Sequence, residues 1–458
     1  MKRKILRKIK IQHISRVEGH AGFIGYLLDG DVPQAKIEIE EGARLIEGIL
    51  IGRHFSEAPI ITARICGICP VIHNLTSIKA IENALEIKVR PEVILLRKLL
   101  LAAQIIQSHT LHLFFLFLPD FLSDFQPLAD PPSVESQIKK YPAQAKAALD
   151  IRNFGNKIIE IVGGRAIHPI TTEIGGFKKY PKKLDLLVLY HLSGKILSEA
   201  VNLANFFKKL KYPEFYRPTN FASLHSPKEY AFYDGKIKWQ TSNEKEKLYE
   251  PKIFLQQTKE IETLGEVVKR VQHNQQAYMV GALARVNDNS DQLNSQAKKI
   301  WRGLIKQPPV RNTFYNIFAQ AVEVVHFIEE SQKLLKKLTR TSLDNRSIKN
   351  TRFKIKPGMG LAACEAPRGT LYHAYEIDKN GLIKKCNIIT PTAQFLNNIE
   401  ADLKVWLKQI RRLSKKEQER KIKMLIRAYD PCITCATHEL TKLLIFTNCT
   451  NCKWLRKS

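Results

Sequence analysis

Hydrophobic and polar residues follow two different periods along this 458-residue chain. Residues 11–45 alternate apolar and polar positions, with glycines between the runs, which predicts a small β-sheet. From about Arg44 onwards, apolar residues recur at three and four positions, which predicts α-helices. The predicted helices are Ala43–Gly52, Ile72–Leu85, Glu92–Phe117, Pro142–Ile161, Lys183–Lys209, Lys259–Gln275, Phe314–Leu338, Asn397–Ile410 and Lys415–Ala428.

Two later segments depart from the helical pattern. Residues 207–257 are rich in Lys, Tyr, Pro and Glu, which predicts an irregular or short-stranded insertion. Residues 371–378 and 382–389 flank a Lys-Asn-Gly turn and predict a β-hairpin. The expected fold is therefore mainly α with small β regions (α+β), comprising a β-rich segment at 1–45, a helical core at 46–350 and a C-terminal segment at 351–438.

The charge balance of the chain is unusual. It contains 73 Lys and Arg residues against 44 Asp and Glu residues, a formal net charge of +29, which favours an anionic partner. The lysines are scattered, however, and no nucleic-acid-binding motif accompanies them. We therefore expect a general lysine bias and no nucleic-acid partner.

Neither a signal peptide nor a membrane span is predicted. The N-terminus is basic, but no apolar run of the required length follows it. The most apolar stretch, Ile94–Leu118, is interrupted by charged and polar residues, so we expect a buried core helix there. Eight cysteines in a chain of this length, four of them in two close pairs, indicate metal ligands in a reducing compartment. The expected location is the cytoplasm.

The two cysteine pairs, Cys66/Cys69 and Cys432/Cys435, are the strongest chemical signal. Two residues between the members of each pair allow both sulfurs to bind one ion. Four thiolates select zinc, iron-sulfur, nickel or copper. Structural zinc sites usually draw their pairs from about 15–20 residues apart, whereas these pairs are more than 300 residues apart. The separation favours a redox or catalytic metal, with structural zinc and unpaired core cysteines as alternatives.

A histidine follows each pair, namely His73 and His438. Each imidazole is expected to act as a ligand or as a hydrogen-bond donor to a ligand. Two halves of one metal site is the simplest interpretation of this repeated arrangement.

The segments around these pairs, 64–73 (RICGICPVIH) and 430–438 (DPCITCATH), resemble the two signatures of the large subunit of nickel-iron hydrogenases. Further segments resemble that family in the same order: 15–20 (SRVEGH), parts of 163–177, 365–369 (EAPRG) and 391–392. The resemblance implies a helical core with the metal site between the two ends of the chain. It also implies reversible heterolytic cleavage of dihydrogen.

The resemblance implies a role for each cysteine. Cys66 and Cys432 would be terminal nickel ligands, whereas Cys69 and Cys435 would bridge nickel and an iron that carries cyanide and carbon monoxide. Cys432 would hold a proton during heterolysis, and Glu18 would receive it.

Further family positions map onto the second half of the chain. Arg368 would lie over the open face of the centre and donate to a cyanide, while Pro367 and Thr392 would complete the pocket. The family's magnesium site would map to three ligands: the Glu47 carboxylate, the Ile388 backbone carbonyl and the His438 imidazole.

The resemblance also implies partners. Ser108 stands where membrane-bound uptake hydrogenases often have Asp. In this respect the chain resembles the soluble cytoplasmic group, which couples hydrogen to NAD(P) or deazaflavin through other subunits. The chain has no Gly-x-Gly-x-x-Gly turn after a strand and no remaining cluster-binding cysteine set. Diaphorase-type subunits are therefore expected, together with an iron-sulfur small subunit.

Residues 439–458 stand where family precursors carry an extension that is removed once nickel is inserted. A maturation endopeptidase and a nickel chaperone are the partners implied for that step. The segment contains its own pair, Cys449 and Cys452, which we expect to be incidental.

Less specific interpretations remain for several residues. Glu18 could be a surface turn residue, and Arg368 could be a structural ion-pair partner. His109 and His112 are expected to be core histidines with hydrogen-bond partners. The alternative functions are the fold-related quinone-site subunit of respiratory complex I, and a basic assembly or nucleic-acid-binding protein with structural zinc.

Overall fold

The computed structural model describes residues 6–28, 31–122, 134–263, 266–343 and 351–437. The strands are β1 (Leu6–Ile11), β2 (Ala21–Leu28), β3 (Asp31–Ile39), β4 (Thr172–Glu173), β5 (Gly176–Phe177), β6 (Asn220–His225), β7 (Lys236–Gln240), β8 (Glu246–Tyr249), β9 (Thr258–Ile261), β10 (Arg270–His273), β11 (Tyr278–Met279), β12 (Gly358–Ala366), β13 (Gly369–Ile377) and β14 (Ile383–Ile389). The helices are α1 (Ile46–Leu50), α2 (Ala58–Thr62), α3 (Pro70–Ala84), α4 (Pro91–Leu111), α5 (Pro119–Leu122), α6 (Val134–Lys140), α7 (Pro142–Gly163), α8 (Lys183–Lys208), α9 (Pro251–Gln256), α10 (Ala282–Asn289), α11 (Ser295–Arg302), α12 (Asn316–Leu338), α13 (Pro391–Ile410), α14 (Lys415–Ala428) and α15 (Ile433–Ala436).

Four long helices form the centre of the protein. Helix α12 packs against α4 and α8, and α7 packs against the same two helices. Helix α4 is apolar around most of its circumference because neighbours cover nearly every side. Helix α7 is capped by Gly164, whose N–H donates to the Glu160 carbonyl and whose positive φ of 81° turns the chain away from the helix.

The continuous helical stretch Pro91–Phe121 is long and apolar enough to cross a membrane, but 83% of its most apolar window is buried inside the protein. The expected core helix is therefore found in this position.

Two antiparallel sheets hold the ends of the chain against the helices. The sheet β1-β2-β3 packs on α13, and the sheet β12-β13-β14 packs on α3. Gly360 in β12 lies so close to Ala80 of α3 that a side chain would collide with the helix backbone. This contact fixes α3, which begins directly after Cys69, against the strand that leads to Arg368.

Most predicted elements are confirmed. Strands β13 and β14 pair through the predicted turn at 379–381, which the Gly381 N–H closes by donating to the Asp378 carbonyl. The insertion forms the short strands β6, β7 and β8. The predicted helix Ala43–Gly52 is shortened to α1. Helices α10 and α11 were not predicted.

The predicted helix Lys259–Gln275 is wrong, because β9 and β10 form an antiparallel pair there. The apolar spacing that suggests a helix is also compatible with two short strands. The β-branched residues Ile261, Thr263, Val267, Val268 and Val271 favour the extended conformation.

Candidate metal centre

The N-terminal cysteine pair lies on the tight turn that leads into α3. Cys66 is extended, with φ −144° and ψ 141°, and Cys69 immediately precedes Pro70 at the first position of the helix. The backbone N–H groups of Ile68 and Cys69 donate to the Cys66 sulfur over 3.3 and 3.4 Å. The turn therefore stabilises a thiolate at Cys66 even without a bound metal.

Two glutamines of α4 hold this turn from the other side. The Nε2 atoms of Gln104 and Gln107 both donate to the Ile68 carbonyl, over 2.5 and 2.7 Å. The Gln104 Oε1 atom accepts from the Val71 backbone over 3.0 Å. We did not anticipate these residues. The sequence feature that could have identified them is a pair of polar side chains, three residues apart, on an otherwise apolar and buried helix.

The C-terminal pair is positioned by two separate parts of the chain. The Cys432 N–H donates to the Thr392 hydroxyl oxygen at the start of α13, over 3.0 Å. The Ile433 N–H donates to the Glu18 carbonyl over 2.8 Å. The segment before β2 and the start of α13 together place Cys432 and Cys435.

The four sulfurs lie within 4.8 Å of one another, and all four cysteines are buried. The Sγ distances are 3.7 Å between Cys66 and Cys432, 3.5 Å between Cys69 and Cys435, and 2.7 Å between Cys432 and Cys435. The two pairs therefore form one site, as their repeated pattern predicted. Four convergent sulfurs suit a soft metal centre.

The sulfurs differ in their affinity for protons. Hydrogen bonds from Cys432, Cys435 and Cys69 hold the pKa of the Cys66 thiol well below its ordinary value. Burial raises the pKa of the Cys432 and Cys435 thiols well above the ordinary value. Metal binding at this site must therefore release thiol protons.

A small cavity lies beside three of the sulfurs. Its lining residues are Cys69, His73, Ala366, Pro367, Arg368, Leu371, Pro391, Thr392, Cys432 and Cys435. The cavity thus adjoins Cys69 and Cys435, which the resemblance assigns to bridging positions, and Cys432, which it assigns to a terminal position. It brings together Pro367, Arg368 and Thr392, as expected.

Arg368 is buried and forms an ion pair with Asp430. Its Nε donates to the Asp430 carbonyl over 2.7 Å, and one Nη donates to the Asp430 carboxylate over 2.8 Å. The other terminal nitrogen, Nη1, is buried and has no hydrogen-bond partner among the described residues. The ion-pair interpretation is thus correct for one side of the guanidinium, and the remaining donor suits a polar group bound in the cavity.

Glu18 is a neighbour of the sulfur cluster. The Cys432 thiol donates to Glu18 Oε2 over 2.9 Å, and the Thr434 backbone donates to the same oxygen over 3.2 Å. The Thr434 hydroxyl donates to Oε1. The structure therefore does not support the interpretation of Glu18 as a surface turn residue.

His73 is buried at the cavity wall and begins a chain of polar side chains. One ring nitrogen lies 3.3 Å from His373, which in turn lies 2.9 Å from the Tyr375 hydroxyl.

The two histidines at the end of the apolar helix have partners of their own. His109 contacts Glu323 over 2.8 Å, and His112 contacts Gln320 over 2.7 Å. Both are core histidines with partners, as expected.

The residues expected to hold magnesium are only partly described. Glu47 Oε1 accepts from the Ile388 N–H over 2.7 Å, and Oε2 lies 3.2 Å from the Lys269 ammonium. His438 lies outside the described residues, as do Cys449, Cys452 and the whole 439–458 segment. The residue before His438, Thr437, forms a β-bridge with Val268, next to Lys269.

Comparison with known proteins supports the inference from the site. A model of the family "Nickel-dependent hydrogenase" matches residues 44–191 and 214–438. The chain is 34% identical to the alpha chain of sulfhydrogenase 1 of Pyrococcus furiosus over 94% of this chain and 97% of that protein. It is 30% identical to the alpha chain of sulfhydrogenase 2 of the same organism, over 94% of this chain and 98% of that protein. The matching chain of the vhu F420-non-reducing hydrogenase of Methanocaldococcus jannaschii is 32% identical over 86% of this chain and 97% of its own length.

Solved structures agree with this similarity. An NAD+-reducing [NiFe]-hydrogenase in the H2-reduced state superimposes with a TM-score of 0.84 at 27% identity, over 94% of this chain and 99% of the other. The Ni-Fe-Se hydrogenase of D. vulgaris Hildenborough shares the fold, with a TM-score of 0.73 at 22% identity over 95% and 100% of the two chains. These matches do not favour the complex I or structural-zinc alternatives. The chain belongs to the nickel-dependent hydrogenase family and is the catalytic large subunit of a nickel-iron hydrogenase, an oxidoreductase that acts on hydrogen.

Proposed function

We propose that the four cysteines hold a nickel-iron centre whose iron carries cyanide and carbon monoxide, and that this chain belongs to a soluble, cytoplasmic hydrogenase. The single observation that carries the chemistry is the convergence of four buried sulfurs with Glu18, which binds Cys432, and with Arg368, which lines the adjoining cavity. Such a centre, when bound, supplies the Lewis-acid and redox chemistry that splits dihydrogen into two protons and two electrons.

The proton route begins at Cys432. Its sulfur holds the proton released by heterolysis, and Glu18 Oε2, at 2.9 Å, is within direct transfer distance. The Thr434 backbone and hydroxyl donate to the same carboxylate. These contacts fix the orientation of Glu18 toward the sulfur and away from other acceptors.

The polar side of the cavity is suited to cyanide, and its apolar side is suited to carbon monoxide. Arg368 Nη1 is a buried donor without a protein partner among the described residues. The Thr392 oxygen accepts from Cys432, which leaves its hydroxyl hydrogen to donate elsewhere. Pro367, Ala366 and Leu371 add apolar surface. Both donors therefore suit small anionic ligands that sit beside the bridging cysteines.

A magnesium ion near Glu47 is the second proposed metal. Glu47 offers a carboxylate, and the Ile388 carbonyl lies on the same edge of β14 as the N–H that donates to Glu47. Lys269 also lies between Glu47 and Glu260, at 3.2 Å from each. The two carboxylates attract positive charge, which Lys269 partly neutralises, and oxygen ligands of this kind suit magnesium.

The proposed partners carry electrons away from the site or complete its assembly. Electrons need a carrier to leave a buried centre, and the proposed one is an iron-sulfur small subunit. Diaphorase-type subunits would pass the electrons to NAD(P) or deazaflavin. The similarity to an NAD+-reducing enzyme supports the nicotinamide, whereas the F420-non-reducing relatives argue against the deazaflavin. A nickel chaperone and a maturation endopeptidase acting on 439–458 complete the proposed set.

The test is metal analysis of the complex purified from its natural source without oxygen. We expect about one nickel per large subunit, with iron in excess of nickel because the iron-sulfur small subunit also contains iron, and infrared bands from bound cyanide and carbon monoxide. Zinc alone would contradict the proposal. Cys432→Ser should abolish hydrogen-dependent dye reduction, while Cys364→Ser, a buried cysteine in β12, should retain it. Reduction of NAD+, NADP+ and deazaflavin by the intact complex identifies the acceptor.

A further inference from the structure

The turn that carries Pro367 and Arg368 has little support from its own hairpin. It connects β12 to β13, and the pairing of these strands ends at Ala366 and Gly369. Pro367 and Arg368 therefore project beyond the last pair of residues, and both line the cavity beside Cys69, Cys432 and Cys435. A two-residue tip of this kind needs contacts from elsewhere to keep one position.

Arg285 of α10 supplies those contacts. Its Nη1 donates to the Ala366 carbonyl over 2.9 Å, and its Nη2 donates to the Pro367 carbonyl over 2.9 Å. The remaining donors bind Glu323 over 2.6 and 2.7 Å and Glu365 over 3.0 Å. All five N–H groups of this fully buried guanidinium are used, one of them on Pro367 in the tip and one on Ala366, the last residue of β12.

The two carboxylates are held in turn by other parts of the protein. Glu323 accepts from the Tyr230 hydroxyl over 2.6 Å and contacts His109 over 2.8 Å. Glu365 accepts from the Leu224 backbone over 2.8 Å and from the Thr370 hydroxyl over 2.7 Å. The position of the guanidinium is therefore determined by α4, α12 and the insertion together, and it cannot shift without breaking several buried bonds.

Close backbone packing adds to this restraint. Gly281, just before α10, has φ 114°, and a Cβ there would lie 3.2 Å from the Arg368 carbonyl oxygen. Gly369 has φ 132°, and a Cβ there would collide with Val280. The start of α10 thus lies directly against the tip whose carbonyls Arg285 binds.

We propose that Arg285 is a positioning residue of the hydrogen-splitting site, which holds the Pro367–Arg368 tip at a fixed distance from the cysteines. The inference rests on the proposed role of Arg368 toward the ligands of the metal. Arg285 does not line the cavity. It acts through the tip, and a lysine cannot replace it because one ammonium has three N–H groups and cannot serve the five acceptor oxygens that the planar guanidinium binds.

The experiment compares Arg285→Lys, Arg368→Lys and Arg97→Lys in the purified complex, by nickel content, turnover per nickel and infrared bands. Arg97 is the matched control, because it is equally buried and binds Glu82 through two bonds of 2.7 Å, but does not line the cavity. We expect Arg285→Lys to shift the cyanide bands and to lower turnover per nickel about 100-fold. Arg97→Lys should lower the melting temperature but leave the bands of the wild type.

Unchanged bands and near-normal turnover per nickel in Arg285→Lys, with shifted bands in Arg368→Lys, would overturn the inference alone. Unchanged bands and turnover in Arg368→Lys, with shifted bands in Arg285→Lys, would overturn the proposed role of Arg368. Arg285 would still position the tip through Pro367. If Arg285→Lys does not yield folded enzyme, Tyr230→Phe decides. It removes one bond to Glu323, and a smaller band shift supports the inference, whereas unchanged bands overturn it.

Discussion

The Glu18 carboxylate lies 2.9 Å from the Cys432 sulfur, although 414 residues separate them in the chain. The contact is reinforced by the backbone, because the Ile433 N–H donates to the Glu18 carbonyl. Main chain and side chain of Glu18 therefore both face the C-terminal cysteine pair. This arrangement determines which carboxylate is available to a proton held on that sulfur.

Glu18→Gln should separate proton transfer from assembly of the centre. Glutamine keeps the size of the side chain and can still accept from Thr434, but it cannot take up a proton. We expect nickel content to be retained while turnover falls about 100-fold or more, measured by hydrogen-dependent dye reduction. Glu41→Gln is the control, since Glu41 accepts from the nearby His20 backbone and forms no hydrogen bond with the cysteines among the described residues. Normal turnover in Glu18→Gln would contradict the assigned role.

Gln104→Leu should weaken the N-terminal half of the site. The change leaves the Val71 N–H without its acceptor and removes one of two donors to the Ile68 carbonyl. We expect a loss of about 1–3 kcal/mol in the free energy of unfolding together with a lower nickel content.

Gln418→Leu is the matched control for that change, because Gln418 is also buried and binds three backbone carbonyls at the end of α13. It should destabilise the protein without lowering nickel content. Equal nickel loss in both variants would show that the effect of Gln104→Leu is not local.

Asp288 should make the enzyme less stable at neutral than at acidic pH. Burial raises the pKa of this carboxyl to about 7, and one of its oxygens has no partner among the described residues. Between about pH 4 and 7 the unfolded chain ionises Asp288 while the folded chain keeps it protonated, so stability falls as pH rises, by up to about 4 kcal/mol.

Asp288→Asn removes that ionisation. The variant should therefore gain stability relative to the wild type between pH 5 and pH 8, measured as the difference in melting temperature at each pH. The exposed Asp291→Asn is the control. A pH profile for Asp288→Asn that runs parallel to the wild type would contradict the assignment.

Glu47→Gln should remove stabilisation by magnesium. An ion that binds the folded chain raises its melting temperature by mass action, and Glu47 provides the proposed carboxylate ligand. We expect added magnesium to raise the melting temperature of the chelator-treated wild type but not of Glu47→Gln. The control is Glu376→Gln in β13, since Glu376 forms an ion pair with the exposed Lys385. This variant should respond to magnesium as the wild type does. An equal response in Glu47→Gln would place magnesium elsewhere.

Local patterns predicted the elements but not the contacts that complete the site. The hairpin around Gly381 and the long helices follow from residue periodicity. The helix predicted at 259–275 is wrong, because the five β-branched residues there favour strands although the apolar spacing also fits a helix. The cysteines, Glu18 and Arg368 were identified from motifs. Arg285 was not, because its carboxylate partners lie 38 and 80 residues away in the chain, and no local pattern encodes such a meeting.

The distribution of the four sulfurs between the two ends of the chain has a consequence for biosynthesis. Cys69 and Cys435 are separated by 366 residues, which a ribosome takes roughly 20–70 s to translate. During that interval the emerging polypeptide offers only a two-sulfur site, open to whichever soft ion arrives first. Correct filling therefore depends on events after translation, when the last residues have joined the first.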